Sequence, residues 1–341
     1  VKVRIGNISI GDGEPIAIQS MTNTPTFDVE KTVSQINDLE RSGVDIVRVS
    51  VPDENSAEAL KTIKKRIRVP LVADIHFDYK LAILSIKMGA DKIRINPGNI
   101  GADWKVRELA KVAKERNIPI RVGANSGSLP KDLEGYEKRY VAIAEAALRE
   151  VRILENVGFE DIVVSVKSSD PIETIRANEY VRERVEYPLH IGVTEAGVYE
   201  SAVISSSFAL GHLLYKGIGD TIRVSIAGNP IREVIIARKL LSFLRLRKEP
   251  RVIACPSCAR AVFDVEKIAR DVEERLFELG KPVTFSVLGC YVNGIGEGKS
   301  ADAGIAGIDG ERFVAFKNGK ILGTYSMDDL YSIVEDLIRE L

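Results

Sequence analysis

One pattern, an apolar strand followed by a polar turn and an amphipathic helix, recurs eight times over the first 245 or so residues. The strand segments read IAIQSM (16–21), IVRVSV (46–51), LVADIH (71–76), KIRIN (92–96), IRVGA (120–124), DIVVSV (161–166), LHIGVT (189–194) and TIRVSI (221–226). Between them lie helical stretches such as VEKTVSQINDLERSG, with Val29, Val33, Ile36 and Leu39 on one face and Gly43 as a stop. Near-continuous apolar strands alternating with helices require a parallel sheet covered on both sides. Eight such units in about 250 residues fit a closed (β/α)8 TIM-type barrel. A doubly wound sheet accounts for them less well, because no G-x-G-x-x-G follows the first strand. Ahead of the repeats, Val3–Ile5 and Ile8–Ile10 flank Gly6-Asn7, a hairpin that reads as a lid or plug.

After the eighth helix the grammar changes. Residues 1–244 make the barrel, 245–250 (RLRKEP) a linker ending in Pro250, and 251–341 a smaller α+β domain. In that domain the strand RVIA leads to Cys255 and a helix follows over about Val262–Leu279. VTFSVLG then leads to Cys290, and RFVAFK and KILGTYS pair across Asn318-Gly319 before a final helix, Asp328–Leu341. The net charge is −1, from 48 basic and 49 acidic side chains, so the chain as a whole exerts no pull on nucleic acid or an anionic membrane. No apolar run is long enough to span a bilayer, and VKVRIGNISI carries no signal-peptide core. With only three cysteines, two closely spaced, the chain fits a reducing cytoplasm better than a secreted disulfide framework.

All three cysteines lie in the smaller domain: Cys255 and Cys258 as C-x-x-C in RVIACPSCAR, and Cys290 in VLGCYVNGIGEG. Glu297 follows in a segment whose glycines permit close backbone approach. Three thiolates and a carboxylate suit a cubane iron–sulfur cluster with one unusual iron. Zinc on three sulfurs and one other ligand is an alternative, and a redox dithiol or inert thiols are a third.

Charges interrupt the barrel strands. VRVS, IRIN, IRVG and IRVS place Arg48, Arg94, Arg121 and Arg223 within strands, and Lys167 follows VSV. Each needs a partner, such as Asp74 or Glu195, or an outward path between the helices, or a place at the barrel mouth. Barrel active sites lie at the C-terminal strand ends, where five convergent cations would clamp a dianion and arginine forks suit paired phosphate oxygens. Turns carrying Asn96, Gly98, Asn99, Asn125, Ser126 and Ser168 add neutral donors at the same rim. Asp74, His76 and Glu195 are acid–base candidates there, and Glu195 is the preferred proton relay. The absence of GxxxxGK[ST] and H-E-x-x-H argues against nucleotide hydrolysis and zinc proteolysis.

CPSCAR and VLGCYVNGIGE, preceded by QSMTNTPT, RVSVPD, ADIHFD, KIRINPGN, RVGANSGSL, VSVKSSD, GVTEAG and TIRVSIAGNP, closely resemble the bacterial 4-hydroxy-3-methylbut-2-enyl diphosphate synthase family over nearly the whole chain. The resemblance implies reductive ring opening of 2-C-methyl-D-erythritol 2,4-cyclodiphosphate in the non-mevalonate isoprenoid pathway. Two electrons from flavodoxin or ferredoxin would pass through a [4Fe–4S] cluster, with release of water. The implied cluster ligands are Cys255, Cys258, Cys290 and Glu297. The implied diphosphate contacts are Arg48, Arg94, Arg121, Lys167 and Arg223, with Asn125 and Arg260 nearby. Ala259 stands where the family usually has Gly. The short linker leaves no room for the extra domain of plant-type members. The family also suggests a head-to-tail homodimer with an active site shared between chains. A seven-residue connection (244–250) reaches no more than roughly 25 Å, which would leave the smaller domain at the barrel end opposite its own mouth. A zinc-stapled phosphosugar-binding protein or barrel lyase is the alternative reading.

Overall fold

The computed structural model describes residues 1–133, 135–298 and 300–341, and of residues 97, 128, 293–295 and 297 the backbone alone. It divides into two compact units, Val1–Leu246 and Arg247–Leu341. No helix among the described residues is long and apolar enough to cross a membrane.

In the first unit, β1 (Val3–Ile5) and β2 (Ile8–Ile10) form an antiparallel hairpin. Eight parallel strands follow: β3 (Ala17–Met21), β4 (Ile46–Ser50), β5 (Leu71–Asp74), β6 (Lys92–Arg94), β7 (Ile120–Asn125), β8 (Ile162–Lys167), β9 (His190–Ile191) and β10 (Thr221–Ile222). Their order is β8-β7-β6-β5-β4-β3-β10-β9. A parallel bridge between Val164 and Leu189 joins the two ends into a nearly closed barrel. The intervening helices lay their apolar faces on the strands. Helix Val29–Arg41 buries Val33, Ile36 and Leu39, is capped by the Asp28 side chain, and ends before Gly43, whose φ of +94° only glycine adopts freely.

The barrel interior changes character from bottom to top. At the N-terminal end, Val3, Ile5 and Ile10 of the hairpin pack on Ala17, Ile46, Val72 and Val163, the first inward residues of their strands. The hairpin is therefore a plug, and it excludes water from that end. Two positions further along these four strands, the period of a pleated strand, inward residues become polar or charged: Gln19, Arg48, Asp74 and Ser165; on β6 both Lys92 and Arg94 are charged.

The sequence reading overextends β9 and β10, which were expected to run over 189–194 and 221–226. Beyond Ile191 and Ile222 the ladder gives way to single backbone bonds, such as Thr194 N–H to Ser168 O (3.1 Å). At Gly192 a side chain would stand 2.6 Å from the Arg223 carbonyl oxygen, so glycine permits this close approach.

The second unit is a five-stranded sheet ordered β11 (Arg251–Ala254), β12 (Thr284–Leu288), β13 (Ala303–Gly307), β14 (Arg312–Lys317) and β15 (Lys320–Ser326). The first three are parallel and the last two antiparallel. Helices Val265–Leu279 and Leu330–Glu340 cover one face through Val272, Leu276, Val334 and Leu337. Strand β13 has no counterpart in the sequence reading, because AGIAG has one branched residue, Ile305, among Gly and Ala, too weak a strand signal. Its small residues are a packing requirement. A side chain at Gly304 would meet Ser286 Oγ at 2.1 Å, and one at Gly307 would meet Val262 at 2.3 Å.

Candidate functional site

Arg48, Arg94, Arg121, Asn125, Lys167 and Arg223 line a single pocket of about 140 Å³, together with Asp74, His76, Ser165 and Thr194. Pleat periodicity brings them there. Arg121 and Asn125 are four residues apart on β7, and Asn125 is in register with Lys167 on β8. Asp74 is in register with Arg94, and Arg94 with Arg121. Between Arg121 and Asn125 stands Gly123, where a side chain would lie 1.8 Å from the Ser165 carbonyl oxygen. Outward escape between the helices is thus not the solution adopted by any of these cations.

Some of the charge is paired internally. Asp74 takes Arg94 at 3.1 Å and Arg48 at 3.5 Å. Burial alone would push its carboxyl up, but the guanidiniums of Arg48, Arg94 and Arg121 outweigh that and hold it below its usual range. Arg48 also donates to Met21 Sδ at 3.0 and 3.1 Å, and Arg94 shares a contact of 3.2 Å with His76 Nδ1. At the eighth strand the partner is Glu233, 3.5 Å from Arg223, and not Glu195. Glu233 is buried and also accepts from Ser20 Oγ (2.9 Å) and Ile226 N–H (3.2 Å).

Two carboxylates therefore face five cationic side chains. Arg121 is 4 % exposed and makes no ion pair among the described residues, and its Nη1 has no hydrogen-bond partner. The buried Arg223 Nε likewise lacks one. Burial pulls the Arg121 guanidinium well below its ordinary value, and Arg48 and Arg94 add to the effect. Burial, then Arg121 and Arg223, do the same to Lys167. Guanidiniums do not deprotonate in proteins, so the mouth holds positive charge for which the described residues supply no counter-ion.

Beneath this rim lies a layer that the sequence reading missed. Lys92 is fully buried, with Nζ 3.2 Å from Gln19 Oε1. His190 is fully buried between Lys167 Nζ (3.1 Å from Nε2) and Thr221 Oγ1 (2.7 Å from Nδ1). The signal was available in the alternation: Lys92 precedes Arg94 by two residues, His190 precedes Thr194 by four, and Thr221 precedes Arg223 by two.

Glu195 does not line the pocket. It is exposed, next to the lining residue Thr194, and its φ of +51° is a strained conformation for a residue with a side chain.

The thiols occupy one edge of the second unit. Cys255 follows β11 directly and Cys290 lies just past β12, the adjacent parallel strand, at the same sheet edge. Gly289 N–H donates to Cys255 Sγ at 3.2 Å. A side chain at Gly289 would meet Ala261 at 2.7 Å and Val265 at 2.8 Å. Arg260 stands beside Cys258 and Cys290, and negative charge on either sulfur favours its guanidinium form. Its backbone N–H first, then its guanidinium, hold the exposed Cys258 thiol below the usual value. Among the described residues no three Cys, His, Asp or Glu side chains group closely enough to hold a metal ion. Glu297 lies in helix Tyr291–Gly298, but its side chain is outside the described residues.

Comparison with known proteins matches residues 1–238 to the GcpE TIM-barrel domain and 251–340 to the GcpE protein C-terminal domain. Proteins named 4-hydroxy-3-methylbut-2-en-1-yl diphosphate synthase (flavodoxin) from Thermotoga petrophila and Thermotoga maritima are each 55 % identical over 340 residues. In the Thermotoga petrophila case the alignment covers 99 % of this chain and 97 % of the relative. One from Caldicellulosiruptor saccharolyticus is 54 % identical over 342 residues, 100 % of this chain and 97 % of that one. Among solved structures, dihydropteroate synthase from Xanthomonas albilineans aligns with a TM-score of 0.53 at 14 % identity, over 72 % of this chain and 98 % of that one. The Yersinia pestis dihydropteroate synthase gives 0.53 at 11 %, over 72 % and 97 %. At such identities the likeness is one of barrel fold.

The unpaired Arg121 yields a prediction. Arg121→Met keeps the aliphatic stem and removes a buried charge that lacks a partner, so thermal stability without ligand should be unchanged or higher. Binding of inorganic pyrophosphate, followed by calorimetry, should weaken by about ten- to a hundredfold, the loss of one charge-assisted contact of about 1.5–3 kcal/mol. Unchanged affinity together with lower stability would mean that Arg121 serves the fold alone.

Proposed function

Because this chain belongs to the 4-hydroxy-3-methylbut-2-en-1-yl diphosphate synthase family, we propose that its barrel mouth binds 2-C-methyl-D-erythritol 2,4-cyclodiphosphate and that the enzyme opens this ring reductively. The product is 4-hydroxy-3-methylbut-2-enyl diphosphate, a step of the non-mevalonate isoprenoid pathway, formed with two electrons and release of water. The observation that carries the reading is a cation-rich pocket with unpartnered guanidinium donors in the same chain as a three-thiol sheet edge. Two phosphates on a small ring are the ligand chemistry such a pocket lacks.

Arg48, Arg94, Arg121, Arg223 and Lys167 bind and orient the diphosphate, with Asn125 as a neutral donor. Asp74 and Glu233 hold three of the guanidiniums in place without cancelling the field. Glu195 is the proposed proton donor to the departing hydroxyl. Its support is the strained backbone next to Thr194 at the mouth.

The resident group is a [4Fe–4S] cluster held by Cys255, Cys258, Cys290 and Glu297. The donor set fits it. Three soft thiols leave neighbouring strand ends, one already accepting a backbone N–H, as cluster sulfurs commonly do. When bound, the cluster supplies electrons one at a time, which neither thiols nor zinc would do. Arg260 counterbalances thiolate charge at Cys258 and Cys290. The relatives' names specify flavodoxin as the electron source, and a flavodoxin is the donor proposed for this cytoplasmic enzyme in preference to ferredoxin.

Protein purified without oxygen should be brown and carry about four irons and four acid-labile sulfides per chain. Each of Cys255→Ser, Cys258→Ser and Cys290→Ser should lose cluster and turnover together. Glu297→Gln should keep much of the iron but alter the spectrum and slow turnover. One zinc and no sulfide would instead support the zinc-stapled alternative.

The active unit is proposed to be a homodimer in which one chain's thiol domain serves its partner's barrel. Mixing Cys290→Ser and Arg121→Met proteins under subunit exchange, at substrate too dilute to fill the weakened site, should then restore part of the activity, since one of the two sites carries neither defect. Mixed dimers that stay at background would assign each cluster to its own barrel.

A further inference from the structure

Among the described residues Lys167 makes no ion pair, and the polar group it meets is uncharged. Arg48 and Arg94 share Asp74, and Arg223 has Glu233. Lys167 Nζ instead meets His190 Nε2 at 3.1 Å, with both side chains buried. We propose that His190 is a positioning residue for Lys167. Its imidazole, protonated on Nδ1 towards Thr221, accepts from the lysine through Nε2 and turns the remaining ammonium protons into the barrel mouth. The inference rests on the reading of that mouth as a diphosphate site.

The chemistry of the two groups fixes the arrangement. With an anionic ligand at the mouth Lys167 is an ammonium, which only donates, so the facing Nε2 must accept, and a neutral imidazole then has its single N–H on Nδ1. That nitrogen stands 2.7 Å from Thr221 Oγ1, which receives the proton. The surroundings keep the ring neutral. The charged groups around it are Lys167 on β8, Arg121 on β7, Lys92 on β6 and Arg48 on β4, all cations. Burial first, and Lys167 next, press the imidazole well below its ordinary value. Arg223 and Arg94 face Lys167 as well, while Asp74 and Glu233 are engaged by the arginines.

The choice of an uncharged acceptor has a consequence. A carboxylate in place of His190 would orient Lys167 equally well, but it would neutralise the ammonium and compete with the incoming phosphate. An apolar residue would leave the ammonium without a fixed direction. A neutral imidazole orients without neutralising. Gly192 completes the seat, because a side chain there would stand 3.0 Å from Lys167 Nζ.

The test titrates inorganic pyrophosphate into anaerobically purified holoenzyme. It compares wild type with His190→Leu, His190→Gln, Lys167→Met and the double variant His190→Leu/Lys167→Met. His190→Leu should weaken pyrophosphate about ten- to thirtyfold and raise KM more than it lowers kcat. His190→Gln, whose Oε1 replaces the Nε2 acceptor, should recover most of the affinity. With Lys167 already replaced, His190→Leu should cost less than about twofold, because residues acting through one contact are not additive. Equal losses in both backgrounds, or full affinity in folded His190→Leu, would overturn the assignment. Should His190→Leu not fold, nitrogen-15 spectra of the wild-type imidazole decide: Nδ1 protonated and Nε2 bare supports the proposal, and the opposite tautomer overturns it. Wild-type protein that ignores pyrophosphate would refute the diphosphate reading, and the tautomer would still report on the Lys167–His190 contact.

Discussion

The repulsion among Arg48, Arg94, Arg121, Lys167 and Arg223 is the constraint around which the barrel is built. Desolvating one ion costs several kcal/mol even after relaxation, and among the described residues five cations meet only two carboxylates. The fold offsets this in two ways. At the opposite end Val3, Ile5 and Ile10 of the hairpin pack on Ala17, Ile46, Val72 and Val163, so the polar layers rest on an apolar plug. The acids are each shared, Asp74 between two arginines and Glu233 among Arg223, Ser20 and the Ile226 N–H. The charge left over is a preorganised field that an anionic ligand relieves. On this account the ligand-free protein is less stable than the same barrel with a bound dianion.

The second unit solves a different problem, that of bringing separated thiols to one edge. Two parallel neighbours, β11 and β12, end side by side, so Cys255 and Cys290 need no long excursion to meet. Small residues let the layers close. Gly289 brings its N–H to the Cys255 sulfur, and Gly304 and Gly307 allow β13 to approach Ser286 and Val262. Arg260, beside Cys258 and Cys290, compensates negative charge on sulfur. The barrel mouth thus carries a positive local field, and the thiol edge a set of soft donors, in a chain of nearly zero net charge.

Much of this was legible from strand periodicity. Apolar runs with a recurrent arginine located both the barrel strands and the rim, because inward residues alternate strictly along a strand. The inner layer was not read, although Lys92 and His190 obey the same alternation. They sit at positions where a lone polar residue in an apolar run is easily taken for a strand start. Glu233 was missed for another reason: it comes from a helix, and its approach to Arg223 depends on where helix Pro230–Phe243 begins. Strand β13 escaped because packing, which sequence propensity does not encode, demands Gly and Ala there. Glu195 reads from the sequence as a carboxylate closing the seventh strand at the arginine rim, whereas it stands in an exposed left-handed turn beyond Thr194.

The central claim is that the charged mouth and the thiol edge of this one protein perform a reductive ring opening. Its most direct test is to give anaerobically prepared, cluster-loaded enzyme 2-C-methyl-D-erythritol 2,4-cyclodiphosphate and reduced flavodoxin, and to follow both phosphates by phosphorus-31 NMR. The account predicts loss of the cyclic diphosphate signals and growth of a linear diphosphate, with two electrons consumed per product. Persistence of the cyclic signals, with the cluster intact and the flavodoxin reduced, would contradict it.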